Sequence, residues 1–226
     1  MQNADDFWPA LPPADGALED LALELATAVT GLGVRLHPVL RASVADLVRR
    51  VNCFYSHQLA GHDLDRSEID RALAGELSPE PERRRRQLEA LAHVHVQRAI
   101  DLGEDPPMPP ASAVYLEWLC RRLHVTRPVT SAESSNGEFG RTEALQPFEV
   151  AFDIPGRFRG VVATGAAYHR LLHLRPFPDG NGRIGRLMVY ALLARLGVRP
   201  DLWPLSRGLA RRREEYDAQV DRKSVV

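Results

Sequence analysis

The chain has 226 residues, of which 44% are apolar, so it can form one large domain, or one domain with a small extension, around a substantial core. This composition excludes an intrinsically disordered chain, and a formal net charge of -1 excludes a general attraction to nucleic acid or anionic membranes. The longest apolar run near the C-terminus, Leu187 to Ala194, is far too short to cross a membrane.

The N-terminal half is predicted to be helical. Residues 1–20 are an acidic, proline-bearing tail that does not fit a signal peptide and is expected to be flexible, although helical periodicity already begins at Gly16. Leucines three and four residues apart, with glycines at the ends, predict a helical region over residues 21–125. Its helices are expected in the stretches 16–33, 37–61, 65–75, 78–103 and 113–125, with Ser67 as the N-cap of the third and Ser112 as the N-cap of the fifth.

Two features of this half bear on partners and location. The basic run Arg83 to Arg86 has no interleaved aromatic residues, so a solvated helix face is the expected role and a nucleic-acid site is not. The two cysteines, Cys53 and Cys120, lack the paired spacing of a zinc site, and we expect reduced, partly buried thiols in a cytoplasmic protein.

The second region, residues 126–226, begins with a turn-rich stretch and continues with two helical stretches. Between residues 126 and 160 glycine, proline and turn residues are frequent, and short apolar pieces such as Phe148–Phe152 predict a small β-hairpin. Helical periodicity resumes at Val161, is interrupted by two prolines, and returns from Gly182. The pattern therefore predicts a helix, a tight loop and a second helix.

The loop sequence "DGNG", residues 179–182, has the features of a phosphate site. Its two glycines can take positive φ, and the N–H groups at the start of the following helix can bind an anion. Arg183 and Arg186 are three residues apart, so they share one helix face on which two guanidinium groups can bind phosphate oxygens. Asp179 supplies the hard oxygen ligand that Mg²⁺ prefers. The alternative is an ordinary turn before a basic helix, and the Pro-Phe before the loop and the Arg-x-x-Arg after it favour the phosphate site.

The stretch "PFPDGNGRIGR" resembles the signature of the Fic (Fido) family, His-x-Phe-x-Asp/Glu-Gly-Asn-Gly-Arg-x-x-Arg. The positions that agree are Phe177, Asp179, Gly180, Asn181, Gly182, Arg183 and Arg186. Three further segments are similar to parts of the family: "VNCFYSHQLAG" to its N-terminal regulatory helix, "GEFGRT" to the start of its substrate-binding flap, and "LSRGLARRREEY" to the helix after the core. The resemblance covers most of the chain from about residue 45 onward.

The resemblance implies an all-α Fic fold, a helical bundle with a small β-hairpin flap near residues 137–152 beside the active-site motif 173–186. It implies ATP as substrate and Mg²⁺ as cofactor, with AMP transferred to a Ser, Thr or Tyr hydroxyl of a protein. Asp179 would hold Mg²⁺ and Asn181 would orient the α-phosphate. The loop amides around Gly180 and Gly182 would form the anion hole, and the two motif arginines, Arg183 and Arg186, would bind the outer phosphates.

The sequence departs from the family pattern at Arg175, which stands where the family has its catalytic histidine. That histidine takes a proton from the attacking hydroxyl, whereas arginine stays protonated in proteins and cannot act as a base. Loss of a general base typically lowers a rate by about 10² to 10⁴. His173 is not expected to replace it, because residues two apart on a helix point in directions about 200° apart.

A second departure lies in the inhibitory-helix-like segment, residues 50–61. Ser56 to Gly61 fits the family's inhibitory pattern Ser/Thr-x-x-x-Glu-Gly/Asn, except that Ala60 replaces the glutamate. By the resemblance, that glutamate would pair with the second motif arginine and obstruct the γ-phosphate. We therefore expect Arg186 to lack this partner and to be available for phosphate.

Three explanations for the two departures stay open at this point. The chain could be a laboratory variant, a natural pseudoenzyme that still binds nucleotide, or a Fic-fold enzyme whose altered chemistry, on a small molecule, uses the cation of Arg175. A non-catalytic nucleotide-binding interaction module is the alternative from another functional class. The oligomeric state also stays open, a homodimer included.

Overall fold

The computed structural model describes residues 15–123 and 157–221, and every regular element within these ranges is a helix. The predicted all-α fold is therefore confirmed, while the predicted β-hairpin falls outside the described residues. The helices are α1 (Gly16–Arg35), α2 (Pro38–Leu59), α3 (Arg66–Leu73), α4 (Pro81–Leu102), α5 (Ala113–Leu123), α6 (Arg157–Leu174), α7 (Asn181–Arg195), α8 (Leu205–Arg211) and α9 (Arg213–Asp221), with a 3₁₀ turn (Pro200–Leu202) before α8.

Helix α7 lies at the centre of the described fold. It packs against α6, α5, α4 and α2. Its apolar residues Ile184, Leu187 and Met188 are fully buried, together with Leu171 of α6 and Leu119 of α5. Burying each such side chain contributes about 1.5–3 kcal/mol, so this cluster fixes α7 and the motif residues it carries.

The C-terminal end of α2 is directed towards α7 by contacts with three other helices. Helix α2 packs against α4, α8 and α3. The buried side chain of Asn52 accepts a hydrogen bond from the backbone amide of Ser206 in α8 at 3.0 Å. Because this bond is formed one helical turn before Ser56, it places that serine beside the core helix.

Helix α1 begins at Gly16, as the periodicity predicted, so the expected flexible tail does not extend to residue 20. Asp15 caps this helix by accepting from the Ala17 amide. Three other helix boundaries differ from the sequence expectations. The N-cap of α3 is Asp65 and not Ser67, since Asp65 and Glu68 form a reciprocal capping box. Helix α6 already begins at Arg157, and the final helical segment divides into α8 and α9.

Other sequence expectations are confirmed. Ser112 caps α5, its hydroxyl accepting from the Tyr115 amide at 3.2 Å. Cys53 and Cys120 are both buried thiols. None of the described helices combines the length and the apolar character needed to cross a membrane.

Candidate phosphate-binding site

The loop between α6 and α7 is held by its own backbone and by Asn181. The Arg175 amide donates to the Leu171 carbonyl at 3.0 Å and ends α6 with a φ of 43°. The Asn181 side chain donates to the Phe177 carbonyl at 2.6 Å and accepts from the Phe177 amide at 3.0 Å. The Phe177 side chain is buried in the main core. Both polar groups of Asn181 therefore hold the loop, a contact that the sequence did not reveal.

Helix α7 starts directly after a turn at Gly180, which is its N-cap residue. Gly180 precedes the helix with a φ of 76°, a conformation that favours glycine. In the part of the chain that the structure describes, no side-chain hydrogen bond caps this helix. The first turn of a helix has amides without intrahelical partners and a partial positive charge, so this end suits an anion.

Asp179 is the exposed acidic group of the loop. Its side chain is 62% exposed, and one carboxylate oxygen lies 3.9 Å from Nη2 of Arg183. The other oxygen accepts from the Gly180 amide at 2.6 Å. In the described parts of the chain, no group of three or more His, Cys, Asp or Glu side chains could hold a metal ion. One carboxylate plus phosphate oxygens and water is a usual donor set for Mg²⁺, so Asp179 fits a nucleotide-bound metal.

Arg183, the first motif arginine, is a buried cation with a buried anion beside it. Its side chain is 3% exposed, and Nη1 donates to Oε2 of Glu89 in α4 at 2.8 Å. The other oxygen of Glu89 accepts from Nη1 of Arg85 at 2.7 Å. Glu89 therefore bridges a surface arginine and a core arginine, and the basic run on α4 is connected to the site through Arg85.

Arg186, the second motif arginine, is equally buried but has different partners. Its residue is 4% exposed. Its Nε donates to the Ser56 hydroxyl at 2.8 Å, and Nη2 donates to the Ser56 carbonyl at 2.6 Å. Its Nη1 lies 3.4 Å from the Tyr168 hydroxyl and 3.5 Å from the Tyr216 hydroxyl. All of these partners are neutral.

These contacts modify the expectation that Arg186 is open to phosphate. The inhibitory-helix-like segment does face Arg186. Although the glutamate is missing, two of the three guanidinium nitrogens of Arg186 donate hydrogen bonds to Ser56. Helix α2 ends at Leu59, and Ala60 follows as an exposed C-cap residue. Gly61 then turns the chain with a φ of 76°. Among the described residues no carboxylate contacts Arg186, but this arginine is already hydrogen-bonded.

Arg175 and His173 are both exposed at the end of α6. The ring of His173 stacks on that of His169, with the centroids 5.3 Å apart. The positive φ of Arg175 is unusual for a long side chain, whereas histidine is enriched among the residues that adopt it. The backbone at this position is therefore compatible with the family's histidine.

Two buried histidines lie close to the motif arginines. The rings of His57 and His93 are 5.8 Å apart, and Nδ1 of His57 bonds to the Cys53 carbonyl at 2.9 Å. Burial, and to a lesser degree the charge of Arg183, lowers the pKa of His57 to about 4, although the hydrogen bond to Cys53 opposes this shift. Burial also lowers the pKa of His93 well below its usual value. Both rings are therefore neutral at pH 7.

Three residues of the site were not identified from the sequence: Glu89, Tyr168 and Tyr216. No motif in the sequence assigned a site role to any of the three. The local pattern around each residue is that of an ordinary helix, and their contacts join positions far apart in the chain. Glu89 and Arg183, for example, are separated by 94 residues.

Comparisons with known proteins find one local similarity in sequence and one similarity in fold. No family model matches the chain. The protein adenylyltransferase Fic of Aedes aegypti is 44% identical over 43 residues, which are 19% of this chain and 9% of that protein. The crystal structure of a Fic family protein from Desulfovibrio desulfuricans G20 superposes with a TM-score of 0.66 over 94% of this chain and 70% of that chain, at 17% identity.

The two similarities support each other. The structural likeness, at its low identity, shows the fold, and the local sequence likeness, although it spans a small part of the curated relative, is to a Fic protein. The glycine-rich loop and the two buried arginines of α7 agree with the Fic signature. This chain has the fold of a Fic family protein and a local sequence similarity to a Fic adenylyltransferase.

Proposed function

We propose that this chain binds a nucleotide through its phosphates at the start of α7, together with Mg²⁺, and that its site is an AMP-transferring site silenced by Arg175. In this proposal the amides of Gly180 to Gly182, with Arg183 and Arg186, bind the phosphate chain. The substrate would be ATP, and the acceptor would be a hydroxyl on a protein.

The observation that carries this proposal is the charge of Arg186. Within the described residues it is a buried guanidinium with no carboxylate partner. A buried charge is costly unless an opposite charge accompanies it, and neutral oxygens compensate it only in part. A phosphate bound beside the uncapped start of α7 would supply the missing anion.

The proposed AMP transfer is supported by the local similarity to an adenylyltransferase and is opposed by one residue. In the family pattern a histidine at position 175 removes the proton of the acceptor hydroxyl. Arg175 cannot do so because its guanidinium stays protonated. Nucleotide binding should therefore be retained while transfer is slowed by about 10² to 10⁴.

Mg²⁺ would be held by Asp179 and by phosphate oxygens. It would neutralise charge that develops on the phosphates during transfer. The chain's own contribution would be to orient the Asp179 carboxylate through its bond with the Gly180 amide.

Calorimetric titration with Mg²⁺ and ATP tests the binding proposal. We expect measurable binding by the parent chain and weaker binding by the Arg186→Ala and Arg183→Ala variants, since one lost charge-assisted contact costs about 1.5–3 kcal/mol. Arg98→Ala, which removes an exposed arginine of α4, is the matched control and should bind like the parent. A parent chain that binds no nucleotide would refute the proposal.

A second candidate follows from the exposure of Arg175. A fixed cation beside the loop could orient an anionic small molecule that brings its own nucleophile, so that no base is needed. In that case Arg175→His would abolish the parent's activity instead of creating one. The two candidates therefore predict opposite effects of the same substitution.

A further inference from the structure

An apolar cavity lies between α4 and α5, and no residue of the candidate phosphate site lines it. Its volume is about 230 Å³. Its apolar lining consists of Leu88, Leu91, Ala92, Val96 and Ala99 of α4 and Trp118 of α5. The cavity is therefore a second candidate for binding, separate from the loop that precedes α7.

The apolar faces of both helices continue beyond this cavity. On α4, Leu102 follows Ala99 by three residues and is 59% exposed. On α5, Val114 precedes Trp118 by four residues and is 57% exposed. The cavity together with Leu102 and Val114 is here called the α4–α5 groove. Its α4 face, from Leu88 to Leu102, is about 21 Å long, and an apolar groove of this length between two helices suits an amphipathic helix.

The rim of the α4–α5 groove is positively charged. The guanidinium of Arg122 lies over the Trp118 ring, 5.9 Å from its centroid. Arg84 and Arg98 share the face of α4 that lines the groove, and all three arginines are exposed. None of the three forms an ion pair with another described residue. The one acidic residue of α5, Glu117, is already paired with a neighbouring arginine. The groove therefore favours an occupant that is both apolar and acidic.

Helix α1 has an exposed surface of this kind. Positions three or four residues apart form one stripe on it, here called the α1 stripe: Ala17, Leu21, Glu24, Ala28 and Leu32. Leu21 is 60% exposed and Leu32 is 42% exposed, whereas the opposite face of α1 is buried and packs against α6. The stripe is about 22 Å long, which matches the length of the groove.

The charges of α1 are opposite to those of the groove. Glu19, Asp20 and Glu24 are exposed and form no ion pair with another described residue, and the helix has no basic residue before Arg35. The α1 stripe and the groove are both exposed in one copy of the chain, so they do not cover each other there. One copy therefore has two uncovered apolar surfaces of similar length and opposite charge.

We propose that copies of this chain associate by placing the α1 stripe of one copy in the α4–α5 groove of another. The two leucines of the stripe would be buried against the apolar floor of the groove, which favours association. The acidic residues of α1 would lie beside the arginines of the rim, and this complementarity selects the partner and its orientation. The inference goes beyond the proposed function and does not depend on nucleotide binding.

Sedimentation velocity of the full chain without nucleotide tests this inference. The average mass of the parent should rise with concentration above the 25.2 kDa of a single chain. Leu21→Ser should weaken association by about tenfold or more, because a leucine is no longer buried. Ala92→Trp should weaken it similarly by filling the cavity. Leu23→Ser is the matched control, because Leu23 is also exposed but points about 200° away from Leu21, and it should have no effect.

A charge exchange tests the pairing of the two surfaces. Glu24→Arg and Arg122→Glu should each weaken association, whereas a mixture of the two variants should associate more tightly than either variant alone. A mixture that associates no more tightly, or equal effects of Leu21→Ser and Leu23→Ser, would overturn the inference. It would also be overturned if the parent stayed a single chain up to about 1 mM, the dissociation constant of a very weak complex. The groove would then be left to an acidic, apolar segment of a different protein.

Discussion

Arg183 and Arg186 lie one helical turn apart, and the protein compensates their charges differently. Arg183 has the buried carboxylate of Glu89, whereas Arg186 has the hydroxyl and carbonyl of Ser56. A buried ion pair and a buried cation with neutral partners differ in how they respond to the loss of one partner. This difference makes the two arginines experimentally separable.

Replacing Glu89 should destabilise the fold. Glu89→Gln leaves the buried Arg183 guanidinium without its anion, and we expect the free energy of unfolding to fall by about 3 kcal/mol. Urea denaturation measures this change. Glu82→Gln is the control, because Glu82 is an exposed partner of Arg85, and it should change the free energy by less than about 1 kcal/mol. Equal effects of the two substitutions would show that Glu89 does not compensate a buried charge.

The buried His57 should make the stability depend on pH. Burial lowers its pKa to about 4 in the folded protein, against about 6.5 in an unfolded chain. The unfolded state therefore binds more protons between these two pH values. The contribution of His57 to the free energy of unfolding is full above pH 6.5 and is lost as the pH falls towards 4. The contribution of His57 amounts to about 3 kcal/mol.

Urea denaturation at pH 7 and pH 4.5 checks this dependence. The His57→Gln variant should lose less stability on acidification than the parent. His95→Gln, at an exposed histidine on α4, should lose as much as the parent. If His57→Gln and the parent have the same pH dependence, His57 is not the group responsible.

At the scale of elements, α2 and α9 both reach the second motif arginine, one from each half of the chain. The resemblance of residues 50–61 to the family's inhibitory helix implied that this segment lies near Arg186, and the contact between Ser56 and Arg186 agrees with it. The contribution of α9 was not predicted, because its contact with α6 depends on how the chain folds after the break at Arg212.

Restoring the missing glutamate in α2 should weaken ATP binding selectively. Ala60 follows Ser56 by four residues, so a side chain there lies on the same face as the serine that touches Arg186. We expect Ala60→Glu to place a carboxylate near Arg186 and to reduce the affinity for ATP more than that for AMP. Calorimetry with both nucleotides measures this. Equal losses, or none, would show that residue 60 does not reach the arginine.

The helix ends illustrate which local features a sequence can specify. Ser112 was identified as an N-cap because its spacing from the apolar pattern is simple. Ser67 was predicted as the N-cap of α3, yet the capping box forms with Asp65 because Glu68 is three residues after it. Both residues are good caps, and the choice between them depends on the partner that can return the hydrogen bond.

At the scale of the whole molecule, the sequence specified the motif but not its environment. The loop and the two arginines were identified because they lie within eight residues of one another in one pattern. Four other helices supply the residues that contact these arginines, at sequence separations that local periodicity does not record: Glu89, Ser56, Tyr168 and Tyr216. The degree to which Arg186 is covered could therefore be learned only from the fold.

The measurement that tests the central claim most directly is AMP transfer by the Arg175→His variant, followed as self-modification with labelled ATP. Because the backbone at residue 175 suits histidine, the variant should fold and bind nucleotide like the parent. If the site is a silenced AMP-transferring site, labelling should increase by about 10² to 10⁴ and should be lost when Asp179→Ala is added. A variant that folds and binds ATP as the parent does, yet transfers no label, would contradict the account.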